Sequence, residues 1–164
     1  MDLLSIEPIR ANVVTVQADM TDPKTWSLVR KQLESVGSKA INQDRDSSAD
    51  EARVHNSQII PDRFVDVVLS DMAHSFTGNK FHDQTKVLDL AETAYTVATQ
   101  ILKPRGHFVV KVLMSQDVVE FRSKLRKMFQ IVKTSKPAAS RSGSMEIYLV
   151  CLEFKPDGEM LDVE

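Results

Sequence analysis

The chain has 164 residues, of which 42% are hydrophobic and 27% charged, and its formal net charge is −2. These values are typical of one globular domain with a core of ordinary size. No run approaches the roughly 18 apolar residues that span a bilayer, so we expect no membrane segment. The one cysteine, Cys151, lies in an apolar run, and we expect a buried thiol there. No cysteine and histidine spacing indicates a metal site.

The first part of the chain predicts one strand and one helix. Residues 13–17 are rich in β-branched side chains and predict a short strand. Asp22 followed by a proline is a helix-start signal, and apolar residues continue after it at helical spacing. Residues 38–61 are polar and predict a disordered surface insertion.

From residue 64 onward, predicted strands alternate with predicted helices. Residues 64–69 form a nearly continuous apolar run, the pattern of a strand buried on both faces of a parallel sheet. The alternation predicts an α/β domain with a mostly parallel sheet and, from the helix-free loop before the last strand, an antiparallel hairpin at one edge. The later elements are predicted as a helix at 83–102, a strand at 107–113, a helix at 116–128, and strands at 129–132 and 147–152.

Three polar residues lie at the ends of these strands or within them. Asp71 follows the strand predicted at 64–69, Lys111 lies inside the strand at 107–113, and Glu146 precedes the strand at 147–152. We therefore expect their side chains on the rims of neighbouring strands. Each also has a purely structural interpretation: Asp71 could cap a turn, Lys111 could reach solvent from a sheet edge, and Glu146 could pair with Arg141.

A basic block interrupts an otherwise slightly acidic chain. Residues 103–141 contain ten lysines and arginines against two acids, a net charge of +8. Such a block is the footprint expected where phosphate groups bind. A solvated face of the helix at 117–128 would give a similar pattern, so both interpretations stay open.

Several short motifs occur in an order that matches one known family. They are Q-A-D-M-T-D at 17–22, S-D-M-A at 70–73, P-R-G at 104–106, F-V-V-K at 108–111, K-P-A-A-S-R at 136–141 and E-I-Y at 146–148. Together they resemble the FtsJ-type RNA 2′-O-ribose methyltransferases, in the branch that methylates large-subunit ribosomal RNA. In that family P-G-G stands in place of P-R-G.

The resemblance implies a fold and a reaction. The fold is α/β, a class I (Rossmann-like) methyltransferase sheet over residues 1–156, with a tail at 157–164. A Lys–Asp–Lys–Glu tetrad carries the family's reaction, and Asp71, Lys111 and Glu146 match its last three members. Lys111 would take the proton of a ribose 2′-hydroxyl. A lysine does so only in its neutral form, so its reference pKa of about 10.4 would have to be lowered by burial or by a second nearby cation. Asp71 and Glu146 would orient the amine and the ribose.

The resemblance also implies S-adenosylmethionine as the cofactor. Asp2 would approach the cofactor's ribose. Asp19, with Met20 in the same segment, would hydrogen-bond the adenine. Met72 would pack beside the adenine, and Asp71 would line the same site.

The implied partner is large-subunit ribosomal RNA. Lys136 and Arg141, both in the K-P-A-A-S-R segment, would bind it, and the methylated nucleotide would be a uridine. The resemblance further implies a monomer, located in the mitochondrial matrix of a eukaryote or the cytoplasm of a bacterium.

The chain departs from the family in two places. His74 and Ser75 stand where the family has Pro-Asn, and we expect His74 and His82 to be loop residues. The family's first strands, its glycine-rich cofactor loop and the first tetrad lysine are expected before Asp2, and the five glycines here are not clustered. We therefore expect an incomplete domain that binds S-adenosylmethionine weakly or not at all, or a catalytically inactive RNA- or partner-binding remnant.

Overall fold

The structure is a computed structural model, and it divides the chain into two units, residues 1–61 and 62–164. The predicted insertion at 38–61 and the tail at 157–164 lie outside the described residues. Those described are Leu4, Glu7, Arg10, 13–22, 24–25, 27–32, Arg63, 65–137 and 144–156.

The first unit confirms the predicted helix start. Residues 24–25 and 27–32 are helical, and Asp22 caps them, because its Oδ1 accepts a 2.9 Å hydrogen bond from the Lys24 backbone N–H. The strand predicted at 13–17 is wrong, since Gln17 is the one described residue of that segment in a β-bridge. β-branched residues form a strand only where a neighbouring ladder satisfies their backbone groups.

The second unit contains four strands and two helices within its described residues. The predicted elements from residue 64 onward are confirmed, with small shifts at their ends. They are β1 (Val65–Ser70), α1 (Lys80–Ile101), β2 (Leu102–Leu113), α2 (Asp117–Met128), β3 (Phe129–Ser135) and β4 (Glu146–Phe154).

The four strands form one sheet in the order β1-β2-β4-β3. β1 runs parallel to β2, whereas β4 is antiparallel to both β2 and β3. The predicted α/β class and the antiparallel hairpin of β3 and β4 are therefore confirmed. The sheet formed by these strands is mixed rather than mostly parallel, because β4 enters between β2 and β3.

Both helices pack on the same face of this sheet. The rings of Tyr95 on α1 and Phe121 on α2 meet edge to face at 6.0 Å, and both join a core that includes Val110 and Cys151. Burial raises the pKa of the Cys151 thiol to about 12. The opposite face of β1 is open, and Leu69 is 74% exposed. The prediction that β1 is buried on both faces is therefore wrong.

The loop at residues 71–79, here called the Asp71 loop, is held by the buried carboxylate of Asp83 on α1. Its Oδ1 accepts hydrogen bonds from the backbone N–H and hydroxyl of Thr77, both at 2.9 Å, and lies 3.0 Å from His74 Nε2. Its Oδ2 accepts from the Gly78 N–H at 3.1 Å. His74 therefore lies in a loop, as predicted, and has a specific partner there, whereas the loop prediction for His82 is wrong, since His82 lies in the first turn of α1. The hydrogen bond from the Thr77 backbone N–H is the largest of the contacts that lower the pKa of Asp83 to about 2, and burial opposes them.

The turn between α1 and the paired part of β2 is crowded. Val65 pairs with Leu102 but Val67 pairs with His107, so the residues between bulge from the ladder. Arg105 has a φ of 66°, the left-handed conformation that favours glycine. A Cβ on Gly106 would lie 2.9 Å from the Lys103 carbonyl oxygen and 3.0 Å from that of Asp66.

We expect Asp83→Asn to lower the melting temperature at neutral pH, because an amide cannot accept all of these hydrogen bonds. The pKa of Asp83 is lowered from 3.8 to about 2. Its stabilising contribution is therefore complete above about pH 4 and is lost as the pH falls through about 2. Melts of wild type and variant should thus converge over that range. Asp89→Asn, an exposed change on the same helix, is the control, and a gap that stays constant down to pH 2 would contradict the assignment.

We expect Arg105→Gly to raise the free energy of unfolding by about 1 kcal/mol, since glycine removes the left-handed strain. The Arg105–Glu153 pair, 3.9 Å apart and exposed, adds little to the free energy of unfolding.

Gly106→Ala should instead lower the free energy of unfolding by roughly 1–3 kcal/mol, because two backbone carbonyls must move. Urea denaturation of both variants checks this. If both variants had the same free energy of unfolding, the turn would relax freely around either change.

Candidate active site

The sheet register places three side chains in a row across β1, β2 and β4. Ser70 pairs with Val110, so Asp71, the next residue, lies beside Lys111. Lys111 in turn pairs with Tyr148 on the antiparallel β4. The row lies where β1 ends, the edge at which open α/β sheets bind their ligands.

Lys111 is a buried lysine with two fixed contacts. Its side chain is 10% exposed, and its Nζ lies 2.9 Å from Asp71 Oδ1 and donates to the Asp71 backbone oxygen at 3.0 Å. The structural alternative of a lysine reaching solvent is therefore wrong. Lys111 instead directs its amine to the start of the Asp71 loop.

Asp71 accepts from both of its neighbours in the row. Tyr148 donates its hydroxyl to the same Oδ1 at 2.9 Å. Burial raises the pKa of Asp71, but the hydrogen bonds from Lys111 and Tyr148 and the charge of Lys111 lower it by more, so it lies below its ordinary value. Because its side chain is 71% exposed, the pair stabilises the fold only modestly. The carboxylate therefore stays ionised and remains open to a ligand.

Tyr148 is the member of the row that the sequence analysis did not assign to the site. The hydrogen bond to Asp71 is the main reason that its pKa is raised, with burial and the charges of Asp71 and Glu146 adding to it. Its phenol therefore remains a donor at neutral pH. Its position in the E-I-Y motif, two residues after Glu146 on the same strand face, was the signal available in the sequence.

Glu146 lies next to the row rather than in it. It pairs with Leu113 across the β2–β4 ladder, and its Oε2 accepts a hydrogen bond from Ser144 Oγ at 3.1 Å. In the described part of the chain no ion pair joins Glu146 to Lys111. Arg141, its alternative partner, lies outside the described residues.

The predicted cofactor residues are distributed over both units. Asp2 lies outside the described residues. In the first unit, Asp19 Oδ1 accepts from the Thr21 hydroxyl at 2.7 Å and from the Thr21 N–H at 2.8 Å. These two hydrogen bonds, the hydroxyl's first, lower the pKa of this exposed carboxyl. Met20 lies in the turn that follows. In the second unit, Met72 is half-buried against the hydrophobic core.

The basic block is partly neutralised by local partners. Lys103 lies 2.8 Å from Asp66, and Lys124 lies 3.7 Å from Glu92. Lys136, predicted to bind RNA, is exposed, and its Nζ donates to the Ser144 backbone oxygen at 2.9 Å. The exposed basic side chains at the end of α2 and along β3 are Arg126, Lys127 and Lys133. The block therefore supports both a solvated helix face and a smaller basic surface.

The described residues contain no group of three or more metal-ligating side chains. None of their helices combines the length and the hydropathy needed to cross a membrane.

The chain is similar in sequence to named ribosomal RNA methyltransferases. It is 36% identical over 151 residues to ribosomal RNA large subunit methyltransferase E of Haloquadratum walsbyi, covering 92% of this chain and 48% of the relative. It is 35% identical over 155 residues to the protein of the same name from Rickettsia felis, covering 94% and 56%. The chain thus spans about half the length of these curated relatives.

A solved structure gives the same result. A protein from Plasmodium falciparum, described as a ribosomal RNA methyltransferase, matches with a TM-score of 0.51 and 32% identity, covering 57% of this chain and 48% of that one. A sequence profile of the FtsJ-like methyltransferases matches residues 1–154. The chain therefore belongs to the FtsJ-like methyltransferase family.

Proposed function

We propose that the chain carries the catalytic part of an S-adenosylmethionine-dependent enzyme. It methylates the 2′-hydroxyl of a ribose, that of a uridine, in large-subunit ribosomal RNA. The observation that carries this proposal is the row of Asp71, Lys111 and Tyr148 at the edge of the sheet, in a chain of the FtsJ-like family.

A ribose hydroxyl is a poor nucleophile, so a base must take its proton as it reacts. Lys111 is placed to be this base. Asp71 provides two oxygens that accept from its Nζ, at 2.9 and 3.0 Å. The Lys111 ammonium must first lose a proton. The two N–H bonds that remain then make these contacts, so that the lone pair is left for the hydroxyl proton.

The neighbouring groups position this amine. Tyr148 donates to the same Asp71 oxygen that Lys111 contacts, which fixes the orientation of the carboxylate. Glu146 lies on the same face of β4 as Tyr148 and is held by Ser144. A carboxylate has further lone pairs, so Glu146 can accept a hydrogen bond from the substrate and orient its ribose.

The described residues fit the chemistry of the proposed cofactor. S-adenosylmethionine, when bound, supplies an electrophilic methyl group. Asp19 is an ionised acceptor whose two bonds from Thr21 both end on Oδ1, so Oδ2 can accept from an adenine amino group. Met72 is a half-buried apolar side chain beside Asp71, suited to an apolar contact with the adenine ring.

The test is methyl transfer to purified large-subunit ribosomal RNA by the full chain, with the product located by its resistance to alkaline cleavage. We expect Lys111→Met to reduce the rate about 10²- to 10⁴-fold, because the base is lost. Lys111→Arg should not restore it, since a guanidinium stays protonated. Identification of the modified nucleoside by mass spectrometry tests the choice of uridine.

Lys103→Met is the matched control, since Lys103 lies on the same strand and forms a comparable ion pair with Asp66 at 2.8 Å. It should leave the rate unchanged. Near-normal activity of Lys111→Arg would exclude Lys111 as the base. Absence of ribose methylation by wild type at a concentration of S-adenosylmethionine that saturates the chain would refute the proposed function.

Tyr148→Phe tests the positioning of Asp71. Removal of the hydroxyl takes away one of the hydrogen bonds that lower the pKa of Asp71. We expect kcat to fall about fivefold, equivalent to ~1 kcal/mol for one lost hydrogen bond at an exposed carboxylate, with little change in KM for RNA. A fivefold rise in the KM for RNA with kcat unchanged would mean that Tyr148 binds substrate instead.

A second candidate is an RNA-binding remnant without catalysis. The exposed Arg126, Lys127 and Lys133 support it, because a phosphate-binding surface there does not require the row. RNA binding with a steep salt dependence and no methyl transfer in the same assay would favour this candidate.

For the location of the protein, we propose the mitochondrial matrix in a eukaryotic source and the cytoplasm in a bacterial one. Fractionation of source cells checks this.

A further inference from the structure

The Asp71 loop and the first turn of α1 carry a cluster of three rings. His74 and Phe76 meet edge to face with their centroids 5.2 Å apart, and His74 and His82 meet in the same manner at 6.1 Å. Phe76 is 53% exposed, and His82 is exposed as well. Both ring contacts are thus edge to face rather than stacked.

The exposed ring is held in place despite lying in a loop. Asp83 binds the residues on both sides of Phe76, contacting His74 on one side and Thr77 and Gly78 on the other. A phenyl ring gains nothing from exposure to water. A loop that orders such a ring is preorganised for a ligand, since the entropy of ordering has already been lost.

The cluster lies on the segment that begins at the active site. Asp71 begins the loop, and Phe76 is five residues later, so their Cα atoms are at most about 18 Å apart. Lys80, exposed at the first residue of α1, adds a cation on the same segment. A nucleic acid strand whose ribose reaches Lys111 can therefore contact this cluster.

We propose that Phe76, with His74 and His82, forms a stacking platform for an unpaired base of the RNA substrate. Proteins that recognise single-stranded RNA stack splayed bases on phenylalanine and histidine rings, whereas paired bases in a duplex do not present their faces. The platform deepens the proposed function, on which the choice of RNA rests. It assigns the substrate as an unpaired segment next to the methylated ribose.

The test is fluorescence anisotropy of the full chain with a short labelled single-stranded RNA and with a hairpin duplex of the same composition. We expect Phe76→Ala to weaken single-strand binding about 5- to 150-fold, the range for loss of one base–aromatic stack, and to leave duplex binding within twofold. Phe76→Tyr should retain the affinity. Phe76→Leu should not, because it keeps apolar surface but no ring.

Phe81→Ala is the matched control. Phe81 is 74% exposed on the first turn of α1 but outside the three-ring cluster, so its loss should not change either affinity. The salt dependence gives an independent readout. Phe76→Ala should leave the slope of log affinity against log salt unchanged, whereas loss of a lysine that contacts phosphate reduces it by about one.

Three results would overturn the platform: equal weakening of single-strand and duplex binding by Phe76→Ala, no weakening of either, or no RNA binding by wild type. Methyl transfer is measured separately. Phe76-dependent binding without ribose methylation would refute the proposed function while supporting the platform, so failure of one is distinguishable from failure of the other.

Discussion

The ladder around β2 is the constraint on which the site depends. β2 pairs in parallel with β1 and antiparallel with β4, and those two registers alone bring Asp71, Lys111 and Tyr148 into one row. A shift of one residue in either ladder would turn its side chains to the other face. The buried core residues on the alternate positions, such as Phe108 and Val110, prevent that shift, because it would expose them. The hydrophobic core therefore sets the geometry of the polar site.

The Asp71 loop is the second determinant, and it links the fold to recognition. One carboxylate on α1 satisfies loop groups from His74 to Gly78, so the segment between the proposed base and the ring cluster has a defined path. Loops that carry function are usually positioned by a rigid scaffold in this way. Where the resemblance implies Pro-Asn, this chain has His74 and Ser75, and the Nε2 of His74 lies 3.0 Å from Asp83 Oδ1.

Local patterns in the sequence were sufficient for most of the second unit. The apolar period of α1 and the runs of β2 and β4 predict their elements, because each buries one face or stripe against the others. The pairing of Lys111 with Asp71 followed from their positions on neighbouring strands. The strand at 13–17 and the open face of β1 could not be predicted, since both depend on which distant segments cover them. The Asp83 contacts with His74, Thr77 and Gly78 are equally non-periodic, and short polar spacings do not reveal them.

The burial of Cys151 has a practical consequence. It is the chain's one cysteine, it lies on β4 with no exposed surface, and burial raises the pKa of its thiol to about 12. The thiolate, which is the reactive form, is therefore almost absent in the folded state. Alkylating reagents should label the chain only when the sheet opens. The rate at which the native thiol is labelled thus reports how often the core that aligns the active site opens.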